Sequence, residues 1–447
     1  MKLKLSILAL SIMLAAGCSS LPNTKELNNP ENFVSVADYK QSRSLMIGYD
    51  SDELQRFVDL GVKNNLDIYL ATGNVTKALY NAKITELNSH PSLSAGVNAS
   101  KSRDFDTNTT NRIQYGTSLS AGYEVDLWGK LKDQRDVANI NFLASIYDRE
   151  TITISTISAI ELAYFKIAYM GDVLSSNEMT LEYYEDILKL VKVKNATGSV
   201  GKADVLEAER SYVEQQKKVV QLELENDQSY NTLLQLMNLK PDEEYEIEGP
   251  SLMEVEFLPI PEINVAQIDY RPDIQAAKAN LAAAFVNIDL TKKSYYPALN
   301  LTTSLGTSTD EFKSLLKNPV GTIGASLAFP FLNWNERKFD IAVSKTDFDI
   351  KVAETNKVYL TALYEVDNAI KSYNSLLAQY KKVNESYEIS KKFAAIQKVK
   401  YTAGETELKN WLDAEDSLRQ SDLTRYQMKY NLIVERSNLY KALGGKI

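Results

Sequence analysis

Cysteine and histidine occur once each in the 447 residues, as Cys18 and His90. A single thiol excludes an internal disulfide and a thiolate metal cluster. One imidazole leaves no second ring for a His-rich metal site, and no nucleophile–His–acid set can be assembled around it. Lying beside Pro91 at a helix-to-strand turn, it reads as a structural residue. Only 11 prolines are present, and long stretches have none, which favours long helices. No basic excess exists either: the net charge is −9 and no basic stripe stands out, so no nucleic-acid partner is expected. A Gly-rich phosphate loop is missing as well. These absences leave no catalytic residue, no cofactor and no metal ligand to assign, and a non-enzymatic role is expected. Apolar content of 44% with 24% charge nevertheless suits a folded chain.

What is present is a duplication. Lys192-Val193-Lys194-Asn195-Ala196-Thr197-Gly198, running on to Leu206-Glu207-Ala208-Glu209-Arg210-Ser211, returns as Lys398-Val399-Lys400-Tyr401-Thr402-Ala403-Gly404, running on to Leu412-Asp413-Ala414-Glu415-Asp416-Ser417. Matching residues lie 206 positions apart. In each copy a Gly interrupts helix-like periodicity and a second helical segment follows, the pattern of a tight turn between antiparallel helices. The same offset relates Pro91 to Pro297, Leu93 to Leu299, Tyr123 to Phe329, Trp128 to Trp334 and Asp67-Ile68 to Asp273-Ile274.

Lys2 and Lys4 precede an apolar run from Leu5 to Ala16, which describes a secretory signal too short to span a bilayer. Leu14-Ala15-Ala16-Gly17-Cys18 resembles the bacterial lipobox. The resemblance implies lipidation at Cys18, and Ser19, not being Asp, would favour sorting to the outer membrane.

The expected organisation is a lipoprotein signal over 1–17, a lipidated extended lead over 18–50, a first repeat over 51–237, a Pro-bearing connector over 238–270 and a second repeat over 271–447. Helix is expected from Ser51 to about Ser89, broken near Gly61. Four segments then alternate with period two. Leu93, Ala95, Val97 and Ala99 alternate with Ser94, Gly96, Asn98 and Ser100; Leu119, Ala121, Tyr123 and Val125 with Ser118, Ser120, Gly122 and Glu124. Leu299, Leu301, Thr303 and Leu305 alternate with Asn300, Thr302, Ser304 and Gly306; Ile323, Ala325, Leu327 and Phe329 with Gly324, Ser326 and Ala328. These pair as two hairpins.

After each hairpin a Pro-free segment of some 65 residues, about Gly129 to Lys194 and Asn335 to Lys400, predicts a helix roughly 100 Å long. Ile160, Ile167, Leu174, Leu181 and Leu188 recur every seven residues and Ala163, Met170, Tyr184 and Val191 sit three further on, with Asn177 the polar exception, a coiled-coil seam; Val366, Tyr373, Tyr380 and Tyr387 alternate with Ala369, Leu376 and Val383 in another. The β-branched stretch Thr151 to Ile157 alternates like a strand, yet its repeat partner, Lys357 to Leu363, does not, so helix is expected there too.

Strands of about ten residues with one apolar face fit either a soluble sandwich or a transmembrane barrel. Four strands cannot close a barrel, and an open edge is not tolerated in lipid. If they span a membrane, several copies must share the barrel; three would give twelve strands around the pore.

Here the chain resembles the TolC-type outer membrane factors, lipidated members that serve multidrug efflux pumps. Tyr123-Glu124-Val125-Asp126-Leu127-Trp128-Gly129-Lys130 is similar to the family's exit from the first hairpin. Arg271-Pro272-Asp273-Ile274 opens the second copy as in the family, and Leu443-Gly444-Gly445 resembles its ending. The resemblance implies an α+β membrane protein with an internal two-fold repeat. Its long antiparallel helices form an α-barrel across the periplasm, and its hairpins enter a shared trimeric transmembrane β-barrel. It implies passive export in the cell outer membrane by a homotrimer, with a periplasmic adaptor protein and an inner-membrane transporter of resistance-nodulation-division type as partners and outer membrane lipid around it. Delivery in one-step protein secretion or metal-ion efflux is the alternative, while a coiled-coil adhesive lipoprotein would leave the hairpins unexplained.

The resemblance also implies an acidic periplasmic gate after the second turn, where Asp413 matches the family's acid and Asn410 departs from a second one. Asp416 shares the face of Asn410 and Asp413. Asp204, Glu207 and Arg210 are the equivalents in the first copy. The turns Gly198, Ser199, Gly404 and Glu405 are the expected adaptor contacts.

Overall fold

A computed structural model describes residues 49, 51–102, 112–241, 245, 247, 249–256 and 265–445. The signal, Cys18 and most of the first hairpin loop lie outside these residues. The elements run α1 (Asp52–Asn64), α2 (Leu66–Leu87), β1 (Ser92–Ser102), β2 (Arg112–Val125), α3 (Lys130–Ala196), α4 (Lys202–Leu236), α5 (Pro272–Lys293), β3 (Ala298–Thr309), β4 (Val320–Ala328), α6 (Trp334–Thr402) and α7 (Leu408–Ala442). The duplication is visible in these bounds. α2 and α5 have 22 residues each, α4 and α7 have 35 each, and both pairs stand 206 positions apart. α3 and α6 run for 67 and 69 residues, and the β-branched stretch at 151–157 is helical inside α3. Helix wins there because Ile154 and Ile157 are buried while Thr153 returns its hydroxyl to the Arg149 carbonyl at 2.9 Å.

Ser51 starts α1 by accepting hydrogen bonds from the backbone N–H groups of Glu53 and Leu54 at 3.2 and 3.3 Å. The break expected near Gly61 falls four residues later, at Asn65. Gly61 is buried within α1, where a Cβ would stand 2.2 Å from the Ile160 side chain, so close approach to α3 is what calls for glycine. Asn65 makes the break: its Oδ1 accepts from Asp67 and Ile68 at 2.9 and 3.2 Å, capping α2, and its Nδ2 donates to the Leu236 carbonyl at 2.8 Å.

Two compact units are present, one from the described residues within Met1–Thr72, Arg149–Pro272 and Leu360–Ile447, the other from those within Gly73–Asp148 and Asp273–Tyr359. In the first, helical unit, the α3 seam is buried at Ile160, Met170, Leu188 and Val191. Its polar exception is fully buried and satisfied. Asn177 donates to the Val173 carbonyl at 2.7 Å, and Gln215 donates to the Asn177 carbonyl and Oδ1 at 2.9 and 3.1 Å. Arg436 of α7 is equally buried, donating to the Tyr373 hydroxyl at 3.1 Å with its guanidinium 5.5 Å from that ring; burial works against its charge. Arg271 ties the two family-like motifs together. It donates to the Ala442 carbonyl at 2.7 Å and pairs with Glu365 at 2.8 Å, while Gly444, at φ +77°, leaves no room for a Cβ beside the Arg271 backbone.

In the second unit all four strands join one antiparallel sheet in the order β1-β2-β3-β4, so the two hairpins also pair with each other through β2 and β3. The register keeps the apolar alternation on one face. Leu93 opposes Ala121, Leu119 opposes Leu305, Tyr123 opposes Leu301, and Leu299 opposes Leu327. The other face carries Ser94 hydrogen-bonded to Ser120 at 2.7 Å and Gln114 to Ser308 at 2.6 Å.

Candidate functional site

The two turns between helices are built alike, and the sequence explains why. At the end of α3, Gly198 takes φ +74°, its N–H reaches the Asn195 carbonyl at 3.0 Å, and the Ser199 N–H reaches the Lys194 carbonyl at 2.8 Å. At the end of α6, Gly404 takes φ +75°, with Gly404 to Tyr401 at 3.1 Å and Glu405 to Lys400 at 2.9 Å. Both are Schellman closures, which require the left-handed conformation that only glycine adopts cheaply. Gly404→Ala should therefore lower stability by about 1–2 kcal/mol without touching any neighbour, since nothing lies within 4 Å of the added methyl; thermal unfolding of the purified protein checks it.

Beneath the turns, Tyr184, Val191, Val205, Ala208, Tyr401, Leu408 and Trp411 share one buried cluster. Trp411 meets Tyr183 edge-on at 5.9 Å and lies against Tyr401 at 5.1 Å between centroids. Lys194 and Lys398 stand 4.0 and 5.2 Å from the Tyr401 and Tyr183 rings. Two phenol–carboxylate bonds cross from α3 to α7. Tyr183 donates to Glu415, and Tyr184 to Asp416, each at 2.6 Å. Burial, then the bonded carboxylate, drives both phenols far above their usual range, so they stay protonated donors.

The residues named from sequence do not all stand in the same situation. Asp413 is exposed, and its carboxylate makes no hydrogen bond or ion pair among the described residues. Asn410 donates to the Thr406 hydroxyl at 2.9 Å. Asp416 is held by Tyr184 and lies 3.5 Å from Arg419. Asp204 accepts from the Gly201 N–H at 3.0 Å, which fixes the first turn of α4. Glu207 pairs with Arg210 at 2.6 Å on the same helix face. Sequence reading missed Tyr183, Glu415 and Trp411, although aromatic residues with a polar handle at a seam signal a buried partner.

The second functional surface is the strand face and its junction to the helices. Leu93, Val97, Leu119, Leu301, Leu305, Ile323 and Leu327 are all exposed on it. At the exit from β2, Lys130 pairs with Glu124 at 2.5 Å and Asp126 accepts from the Leu131 and Lys132 N–H groups at 3.2 and 3.0 Å. Trp128 donates to the Pro297 carbonyl at 2.8 Å, and Gly129 turns at φ +75°. The motif at 123–130 is thus a strand-to-helix corner. Removing its cap with Asp126→Ala should cost about 1 kcal/mol, read as an earlier thermal transition. His90 is exposed, its Nδ1 3.3 Å from the Glu86 carbonyl, at the turn between α2 and β1.

Comparison with known proteins agrees on one family. The model of the family described as Outer membrane efflux protein matches residues 59–239 and 267–445, one match per repeat. The chain is 28% identical to Toxin and drug export protein A of Aggregatibacter actinomycetemcomitans, over 98% of this chain and 97% of that one. It is 25% identical to the Cation efflux system protein CusC of Escherichia coli strain K12, over 96% of each. Among solved structures, CusC superimposes with a TM-score of 0.81 at 22% identity, covering 89% of this chain and 93% of that one. The outer-membrane channel OprN gives 0.81 at 20%, covering 95% and 96%. Long helices with a four-stranded sheet are therefore the fold of outer-membrane channels, and this chain belongs to the outer membrane efflux protein family.

Proposed function

We propose that three copies of this chain share one transmembrane β-barrel and one periplasmic helical tube, and that the assembly conducts drugs or other small molecules outward without making or breaking a bond. The observation that carries this reading is the sheet. Its apolar alternation lies on a single face, while β1 and β4 each leave an edge unpaired within the chain. A bilayer tolerates neither an open edge nor a polar outer face, and copies joined edge to edge remove the first and bury the second. An inner-membrane transporter, of the resistance-nodulation-division type, supplies energy, and a periplasmic adaptor meets the turns at Gly198, Ser199, Gly404 and Glu405. Acyl chains on Cys18 add a second hold on the membrane.

At the mouth of the tube, Asp413 is the principal gate acid, followed by Asp204 and Glu207, while Asp416 is engaged by Tyr184. Three symmetry-related Asp413 carboxylates would gather cations and repel anions. Asp413→Ala is expected to weaken block by multivalent cations in planar bilayers several-fold, with the folded trimer unchanged. Unaltered block would remove Asp413 from the constriction. Metal-ion cargo is the second reading, favoured by the name of the CusC relative. Loss of the gene should raise sensitivity to drugs under the first reading and to metal cations under the second.

A further inference from the structure

The loop over 310–319 joins β3 to β4 at the end of the sheet remote from the helices, and it leans to one side. Three contacts hold it there. The Phe312 ring meets the Tyr115 ring edge-on at 5.5 Å between centroids. The Thr307 hydroxyl donates to the Leu315 carbonyl, and the Thr309 hydroxyl accepts from the Glu311 N–H at 3.2 Å. Tyr115, Thr307 and Thr309 all fall in the alternation that carries Leu119 and Leu305, with Tyr115 opposite Thr309 and Thr117 opposite Thr307. At the same level the other face carries Gln114 bonded to Ser308 at 2.6 Å. The loop therefore folds onto the apolar face. It does so over β2 and β3, the inner strands, away from the edges at β1 and β4.

Its own backbone fixes its shape. Ser314 donates to the Glu311 carbonyl at 3.0 Å, Lys317 donates to the Ser314 carbonyl at 2.8 Å, and Asn318 turns the chain back at φ +56°. Phe312 and Leu316 are 67% and 72% exposed on it, and Lys313 and Lys317, which follow them, are exposed as well. Neither ammonium makes a hydrogen bond or ion pair among the described residues. An apolar residue followed by a lysine, twice over, fits a boundary between hydrocarbon and phosphate, because the first enters one and the second reaches the other.

The height agrees. Val125 and Tyr115 lie ten residues apart on β2, about 33 Å of strand. A tilt of about 40° leaves about 25 Å of height, the apolar band of a barrel. With Val125 at the helical end, Tyr115 and Phe312 stand at the opposite rim of that band.

We propose that this loop binds the phosphate-bearing glycolipid of the outer leaflet, with Phe312 and Leu316 among its acyl chains and Lys313 and Lys317 on its phosphates. This rests on the shared-barrel reading, which says which face meets lipid, and adds to it a lipid site built from a loop. Asp310 and Glu311 balance the two lysines, so the hold comes from direct contact of ammonium with phosphate and not from net charge.

A nitroxide on Leu316→Cys tests the placement, in purified protein reconstituted into vesicles of phosphatidylcholine and lipid A, with the parent carrying only Cys18 as the blank. Its collisions with dissolved oxygen should exceed those with a water-soluble nickel chelate, and a label on Ser308→Cys should show the reverse. Excess nickel collisions at Leu316 would put the loop in water and overturn the proposal. A label shielded from both reagents would mean that protein covers it, with the same consequence. Ile323→Cys, labelled likewise, separates this failure from that of the barrel. Lipid at Ile323 with water at Leu316 removes the loop site alone, and water at both removes the barrel reading with it. For the phosphates, Lys313→Gln with Lys317→Gln should lower the lipid A retained by the extracted protein several-fold, counted by native mass spectrometry. Equal retention would remove the two lysines from the site and overturn the assignment.

Discussion

Replacing Tyr183 and Tyr184 together with Phe should raise the conductance of the channel in planar bilayers and leave the helices folded. The two hydroxyls donate to Glu415 and Asp416 at 2.6 Å, and they are the phenol–carboxylate links between α3 and α7 near the turns. A hydrogen bond to a charged group contributes about 1.5–3 kcal/mol. Tyr183 and Glu415 are half-buried and the Asp416 carboxylate is exposed, so the lower figure applies, and each bond lost should shift the balance toward separated helices about tenfold. The aromatic contacts to Trp411 survive the change, because Phe keeps the ring. Single Tyr184→Phe should show a smaller increase than the double variant. Equal conductance in all three proteins would mean that α7 does not move away from α3 when the pore opens.

Ile323→Lys should deplete the protein from the outer membrane, whereas Thr322→Lys should not. Ile323 lies on the apolar face of β4 opposite Thr303 and is 90% exposed in the single chain. Thr322 is one residue away on the polar face, opposite Ser304. A lysine at the lipid-facing midplane of a barrel costs about 2–4 kcal/mol. A barrel shared by three copies bears that cost three times, while a lysine in the lumen meets water. The amount of folded protein in the outer membrane fraction, compared between the two variants, reads the difference. Equal insertion would place the apolar face elsewhere than against lipid.

Much of this organisation was legible in the sequence because it rests on periodicity. Alternation placed all four strands, heptads placed the α3 seam, and the repeated Gly placed both turns at the residues with positive φ. What escaped depends on contacts made far along the chain. Gly61 looks like a helix breaker until Ile160 is seen against it, and Asn65 gives no local sign that it caps α2 and reaches Leu236 at once. Pairing of β2 with β3 joins residues nearly two hundred positions apart, and no local pattern announces it. The acids of the turns were legible as a group but not one by one. Asp204 serves its own helix and Asp416 a tyrosine, and only coordinates separate these from Asp413.

The shared barrel is the claim on which the rest depends, and the mass of the native particle tests it most directly. Extracted from outer membrane in mild detergent and weighed by native mass spectrometry or light scattering, the protein should give three copies of the chain per particle. A particle holding one copy would contradict it, because four strands with two open edges could not then stand in a bilayer.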